Sequence, residues 1–144
     1  MSYNPLSEVK YRYRLAVENL ERAERSFSAR DWVGTVSASQ LAVENSAKAV
    51  IAIFEVPTWN RGPSNQLEGL AGRLPNDIMD SIRGFAGLAG ELAPEHGRST
   101  YGEPAAGLVP SDIYRERHAL DALEKARKAK GMAERVFRRL NIEF

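Results

Sequence analysis

Apolar residues recur at helical spacing along three long stretches of this chain, and no alternating strand pattern replaces that rhythm anywhere. The first stretch, about residues 5–29, places Val9, Tyr13, Ala16, Leu20, Ala23 and Phe27 on one face. A break at Ser28 to Asp31 follows, and Asp31 is a candidate cap for the next helix. The second stretch, about 31–54, carries Trp32, Val36, Val43, Ala47, Val50 and Phe54 along one side. It is apolar around much of its circumference, which predicts a central, buried helix ended by Pro57. The third, about 111–140, repeats alanine at Ala119, Ala122, Ala126, Ala129 and Ala133 before Val136 and Leu140. Such small side chains allow another helix to approach closely. Pro110 precedes this stretch, and Ser111 or Asp112 can cap it.

Two shorter helices are predicted between the long ones, about 63–74 and 75–92, set off by Pro63 and Pro75, with Asn76 as a cap for the second. Gly84, Gly87 and Gly90 weaken that second helix intrinsically, which points to tight packing against a neighbour. Residues 93–110 collect Pro94, Gly97, Gly102, Pro104, Gly107 and Pro110 and read as a loop. A connection of that length in a compact domain is often functional. The pattern as a whole predicts an all-α fold in a single domain spanning 1–144.

Composition narrows the chemistry more than the fold. Zero cysteines exclude disulfides, thiol catalysis and thiolate metal sites. With two histidines, His96 and His118, a histidine-rich metal centre is not expected, and no cofactor is implied. No apolar run reaches the roughly 20 residues of a membrane span. The first residues lack the basic-then-apolar order of a signal peptide, so a cytoplasmic location without membrane contact is the expectation. A net charge of +1 means that any affinity for nucleic acid must come from a local patch.

Four groups of polar residues are candidates for function. Gln40, Glu44 and Lys48 form a strip at four-residue spacing on the central helix, with Asn45 beside it. Glu44 precedes Lys48 in the order that favours a helical ion pair. The strip either lines a cleft, with Lys48 meeting phosphate, or forms an internal network that fixes helix register. The loop concentrates polar residues, Glu95, His96, Arg98, Ser99, Thr100, Tyr101 and Glu103, of which His96, Arg98, Tyr101 and Glu103 are the candidates. Arg98 suits a phosphate and Tyr101 a base, but Arg98 could equally pair with Glu44 or Glu103 and pin the loop. Arg115, Arg117 and His118 open the last helix, where cations oppose the helix dipole. The later cations of that helix, Lys125, Arg127, Lys128, Lys130, Arg135, Arg138 and Arg139, lie on several sides and read as a solvated face. Trp32 is expected in the core, and Trp59 at the end of the bundle or in a dimer contact.

The order of these parts resembles the HEPN family (higher eukaryotes and prokaryotes nucleotide-binding domain). The matching pieces are the first helix ending Ser26-Phe27-Ser28-Ala29-Arg30-Asp31-Trp32 and the run Leu41-Ala42-Val43-Glu44-Asn45-Ser46-Ala47-Lys48-Ala49. Arg98-Ser99-Thr100-Tyr101-Gly102 and the Ala-rich last helix with Glu124-Lys125-Ala126 complete the match over nearly the whole chain. The resemblance implies an up-and-down bundle of four to five helices, commonly a homodimer. Many members work beside a nucleotidyltransferase in two-gene modules, and others are ribonucleases of defence and toxin–antitoxin systems. The active ribonucleases carry an arginine, four to six spacer residues and a histidine near the start of the last helix. Here Arg98 is followed by Tyr101, His96 precedes it, His118 lies far downstream, and Arg115 is only three residues before His118.

The expected function is therefore a nucleotide- or RNA-associated binding protein, such as the accessory partner of a nucleotidyltransferase in a toxin–antitoxin or defence-type module, with Arg98, Tyr101, Lys48, Glu44 and Gln40 at the ligand. Two alternatives remain open. One is a divergent, metal-independent endoribonuclease using Arg98 with His96 or His118. The other is a purely scaffolding helical dimer.

Overall fold

The computed structural model describes residues 4–57 and 63–144. The long helices are α1 (Pro5–Ser28), α2 (Trp32–Ala52), α4 (Asn76–Leu92) and α7 (Glu116–Arg139). Three short helices join them: α3 (Ser64–Gly69), α5 (Glu95–Tyr101) and α6 (Pro110–Ile113). Among the described residues there is no strand. Glu103 and Leu108 form an isolated antiparallel bridge. Trp59 lies outside the described residues.

Asp31 starts α2 as its sequence position suggests, accepting the Gly34 N–H at 2.9 Å. Phe27 packs on Trp32 across this turn, and Arg12 near the start of α1 bonds Asn45 near the end of α2. The two helices are therefore antiparallel. Tyr13 meets Phe137 and Glu134, and Glu24 meets Arg127, so α7 also runs antiparallel to α1. Arg139 pairs with Asp77 and Lys125 with Glu91, which sets α4 antiparallel to α7. The result is an up-down-up-down bundle. Its parallel pair, α2 and α7, makes close contact because alanines fill the seam: Ala119, Ala122, Ala126, Ala129 and Ala133 are fully or nearly buried. The core also takes Phe85, Ile82, Ile51, Val36, Val43 and Val50. Trp32 is only half-buried against it.

Two boundaries differ from the sequence pattern. The long loop contains a helix, α5, because Pro94 keeps helical dihedrals and the side chains of Ser99 and Thr100 bond back to the His96 carbonyl. Gly102, at φ 71°, ends it. The last helix starts at Glu116 rather than near 111, since Tyr114 and Arg115 turn extended after the short α6. Asn76 is also the first residue of α4 rather than its cap, and no side chain caps that helix. Of the α4 glycines, Gly90 is packed, with Ser64 Oγ 3.3 Å from where a Cβ would stand, whereas Gly87 faces open space.

Candidate functional site

The polar strip on α2 is built as expected and is sealed. Gln40, Glu44 and Lys48 are 1%, 6% and 4% exposed. Gln40 donates to Glu44 Oε1 at 3.2 Å, and Lys48 meets Glu44 Oε2 at 3.4 Å. One helix thus supplies charge, countercharge and amide, the arrangement a buried ion pair requires to offset part of its desolvation. Gln40 Oε1 and the Ser39 and Ser46 hydroxyls have no hydrogen-bond partner among the described residues. Among the described residues no hydrogen bond or ion pair links this strip to Arg98. Arg98 does not make the pair with Glu44 that the sequence offered.

Arg98 instead gathers groups from its own neighbourhood. Its guanidinium donates to Glu95 at 3.0 Å and to Glu103 at 2.8 and 3.1 Å, and lies 5.9 Å from the Tyr114 ring centre. Partial burial would pull its pKa down, but the Glu103 bond and the charges of Glu95, Tyr114 and Glu103 outweigh this and hold it above its ordinary value. Tyr114 donates its hydroxyl to Glu95, and burial followed by that bond raises its pKa well above the usual phenol range. Glu103 in turn closes the 103–108 turn by exchanging backbone bonds with Leu108 at 2.8 and 3.1 Å. A Cβ on Gly102 would overlap the Leu108 carbonyl oxygen, so this turn requires glycine twice over: for its positive φ and for the close approach.

His118 reaches the same place from α7. Its Nδ1 accepts the Arg115 N–H at 2.9 Å, filling the role that glutamate usually has at the third helical position. With Nδ1 an acceptor, the neutral ring carries its proton on Nε2. The ring stands edge-on to Tyr114, 6.2 Å between centres. Arg98, Tyr114 and His118 together line a cleft of about 130 Å³, with Glu91, Glu95, Asp121 and Lys125 around them. Lys125 bonds Asp121 at 2.9 Å and Glu91 at 3.0 Å, and these partners keep its pKa raised against the opposing effect of burial. Three carboxylates thus face two permanent cations. The space suits part of a nucleotide, since sites for whole drug-sized ligands measure about 300–1,000 Å³.

The remaining candidates lie elsewhere. Tyr101 is 74% exposed beyond the cleft's rim. His96 sits on α5 outside the cleft lining, its carbonyl bonded by Ser99 and Thr100. Arg115 bonds the Ser111 and Tyr114 carbonyls and stays exposed. Sequence reasoning missed Tyr114 and Asp121, and counted Glu95 only among the polar residues of the loop. Glu95 is signalled by its three-residue spacing to Arg98, and Asp121 by its four-residue spacing to Lys125. Tyr114 had no signal of this kind, because its role depends on the kink between α6 and α7.

Among the described residues no group of three histidine, cysteine or acidic side chains could hold a metal ion, and no helix is long and apolar enough to cross a membrane. No curated protein and no solved structure matches the chain. A family model described as HEPN domain matches residues 9–140, from the first buried valine to the last turn of α7. With nearly its whole length matched and its helices in the expected order, the chain belongs to the HEPN domain family.

Proposed function

We propose that this HEPN domain is a binding protein for nucleotide or RNA, engaging the ligand at the Arg98 cleft and serving, as a homodimer, beside a nucleotidyltransferase. Family membership supports the general association with nucleotides or RNA. The single observation that carries the choice of binding over cleavage is the pairing of Arg98 with its own carboxylates. Its three hydrogen bonds already go to two carboxylates, and the His118 Nδ1 is committed to the helix cap. A general acid–base pair needs donors and acceptors free to exchange protons with substrate. In the binding reading, phosphate exchanges with Glu103 on the outer side of Arg98, Lys125 adds charge, and Tyr101 stacks from the rim.

Calorimetric titration with a purine nucleoside triphosphate tests this. Binding by the wild type and its loss in Arg98→Ala are expected. Equal affinity in both proteins would contradict the reading.

One observation favours the ribonuclease alternative: His118 shares the cleft with Arg98, separated by the Tyr114 ring. In that reading Arg98 stabilises the pentavalent phosphorane and His118 Nε2 moves the proton. RNA cleavage abolished by both Arg98→Ala and His118→Ala would establish it, and intact RNA over the same time course would remove it. A purely scaffolding dimer predicts neither binding nor cleavage.

A further inference from the structure

The outward side of α1 carries a groove of about 680 Å³ that shares no residue with the Arg98 cleft. It runs from Lys10 to Glu21 and is closed on one side by Phe144. Aromatic rings are exposed there: Tyr11, with the Arg12 guanidinium 5.6 Å from its ring centre, is 55% and Phe144 50% exposed. Phe144 is held in place by Tyr13 and Phe137, with ring centres 5.5 and 5.4 Å away. Lys10 and Arg14, one helical turn apart, are exposed and form no salt bridge among the described residues. By contrast Lys125, Lys130 and Arg139 of α7 all have carboxylate partners. The antiparallel course of α7 adds Arg138 to this end of the molecule. Its charge acts on Glu134, the carboxylate that accepts the Tyr13 hydroxyl, and it too forms no salt bridge among the described residues.

We infer that this groove binds a single-stranded nucleic acid, with Lys10, Arg14 and Arg138 meeting backbone phosphates and Tyr11 and Phe144 stacking on bases. The inference rests on reading the protein as RNA-associated and names a second surface for it. Unpaired cations interleaved with exposed rings are the two components of sequence-tolerant single-strand grooves. A duplex would leave the rings without a base face. A second copy of this chain fits less well, because interface cores are depleted of charged residues and this helix side presents Lys10, Arg14, Glu18 and Glu21. Glu18 and Glu21 repel phosphate and end the path after Arg14.

The test is fluorescence anisotropy of a labelled unstructured oligoadenylate, titrated at several salt concentrations. The double variant Lys10→Ala/Arg14→Ala is expected to lower affinity about tenfold at low salt and to flatten the log–log salt slope by about 1.4, two single-strand phosphate contacts. Phe144→Ala is expected to lower affinity and leave that slope unchanged. The same losses in an Arg98→Ala background separate this groove from the cleft, so either can fail alone. No binding by the wild type, or an unchanged slope in the double variant, overturns the inference. So does a change of sedimentation mass in the double variant, which would make the groove a contact between copies. Circular dichroism confirms that these surface changes leave the helices intact.

Discussion

The α2 strip and the Arg98 cleft contain the same kinds of side chain and have opposite fates. On α2, charge and countercharge lie four residues apart on one helix, meet each other, and are sealed by the bundle. At the cleft, Glu95 and Arg98 come from α5, Glu103 from the turn after it, Tyr114 from the kink and His118 from α7. Groups converging from separate segments leave a space between them, whereas groups from one helix leave none. The difference teaches that in this fold the polar residues of the apolar helix satisfy one another, and that the pocket forms where chain direction changes.

Several substitutions would break or sharpen that contrast. The largest effect is expected for Lys48→Ala, which leaves Glu44 buried and unpaired at a cost of about 3–5 kcal/mol in urea unfolding. Replacing Glu44 and Lys48 together by methionine should come out near neutral. If Lys48→Ala alone is neutral, the strip is not sealed as described. Next comes Gly102→Ala, which strains the turn that carries Glu103; about 1–3 kcal/mol is expected, together with weaker nucleotide binding. Arg98→Ala should cost at most about 1 kcal/mol, because its ion pairs are half-exposed and screened, while nucleotide affinity is lost. A stability loss matching that of Lys48→Ala would erase the distinction between strip and site.

The smallest effect has the opposite sign. Gly131 faces open space in the middle of α7, so Gly131→Ala should stabilise the protein by about 0.5–1 kcal/mol in the same unfolding experiment and leave binding unchanged. Destabilisation instead would mean that the site has a neighbour in solution.

Much of this was legible in the residues. The 3.6-residue rhythm located the four long helices, and Asp31 fixed the start of α2 because an aspartate side chain can accept the first free amides. The i,i+4 pairing of Glu44 and Lys48 was equally local. What escaped was non-local. Helix α5 was hidden by Pro94 and Gly97, which read as breakers, although proline is tolerated at a helix start and Gly97 lies where nothing crowds it. The break between α6 and α7 depends on His118 capping Arg115, a role sequence patterns assign to glutamate or glutamine. Arg98 could be named from the chain, but its choice of Glu103 over Glu44 is decided by the turn that Gly102 permits.

The most direct test of the central claim is a backbone amide NMR titration with a purine nucleoside triphosphate. The account predicts shifts concentrated at residues 95–103 and 114–125, with residues 40–48 of α2 unmoved. Shifts clustered on residues 40–48 with the Arg98 region silent would contradict it.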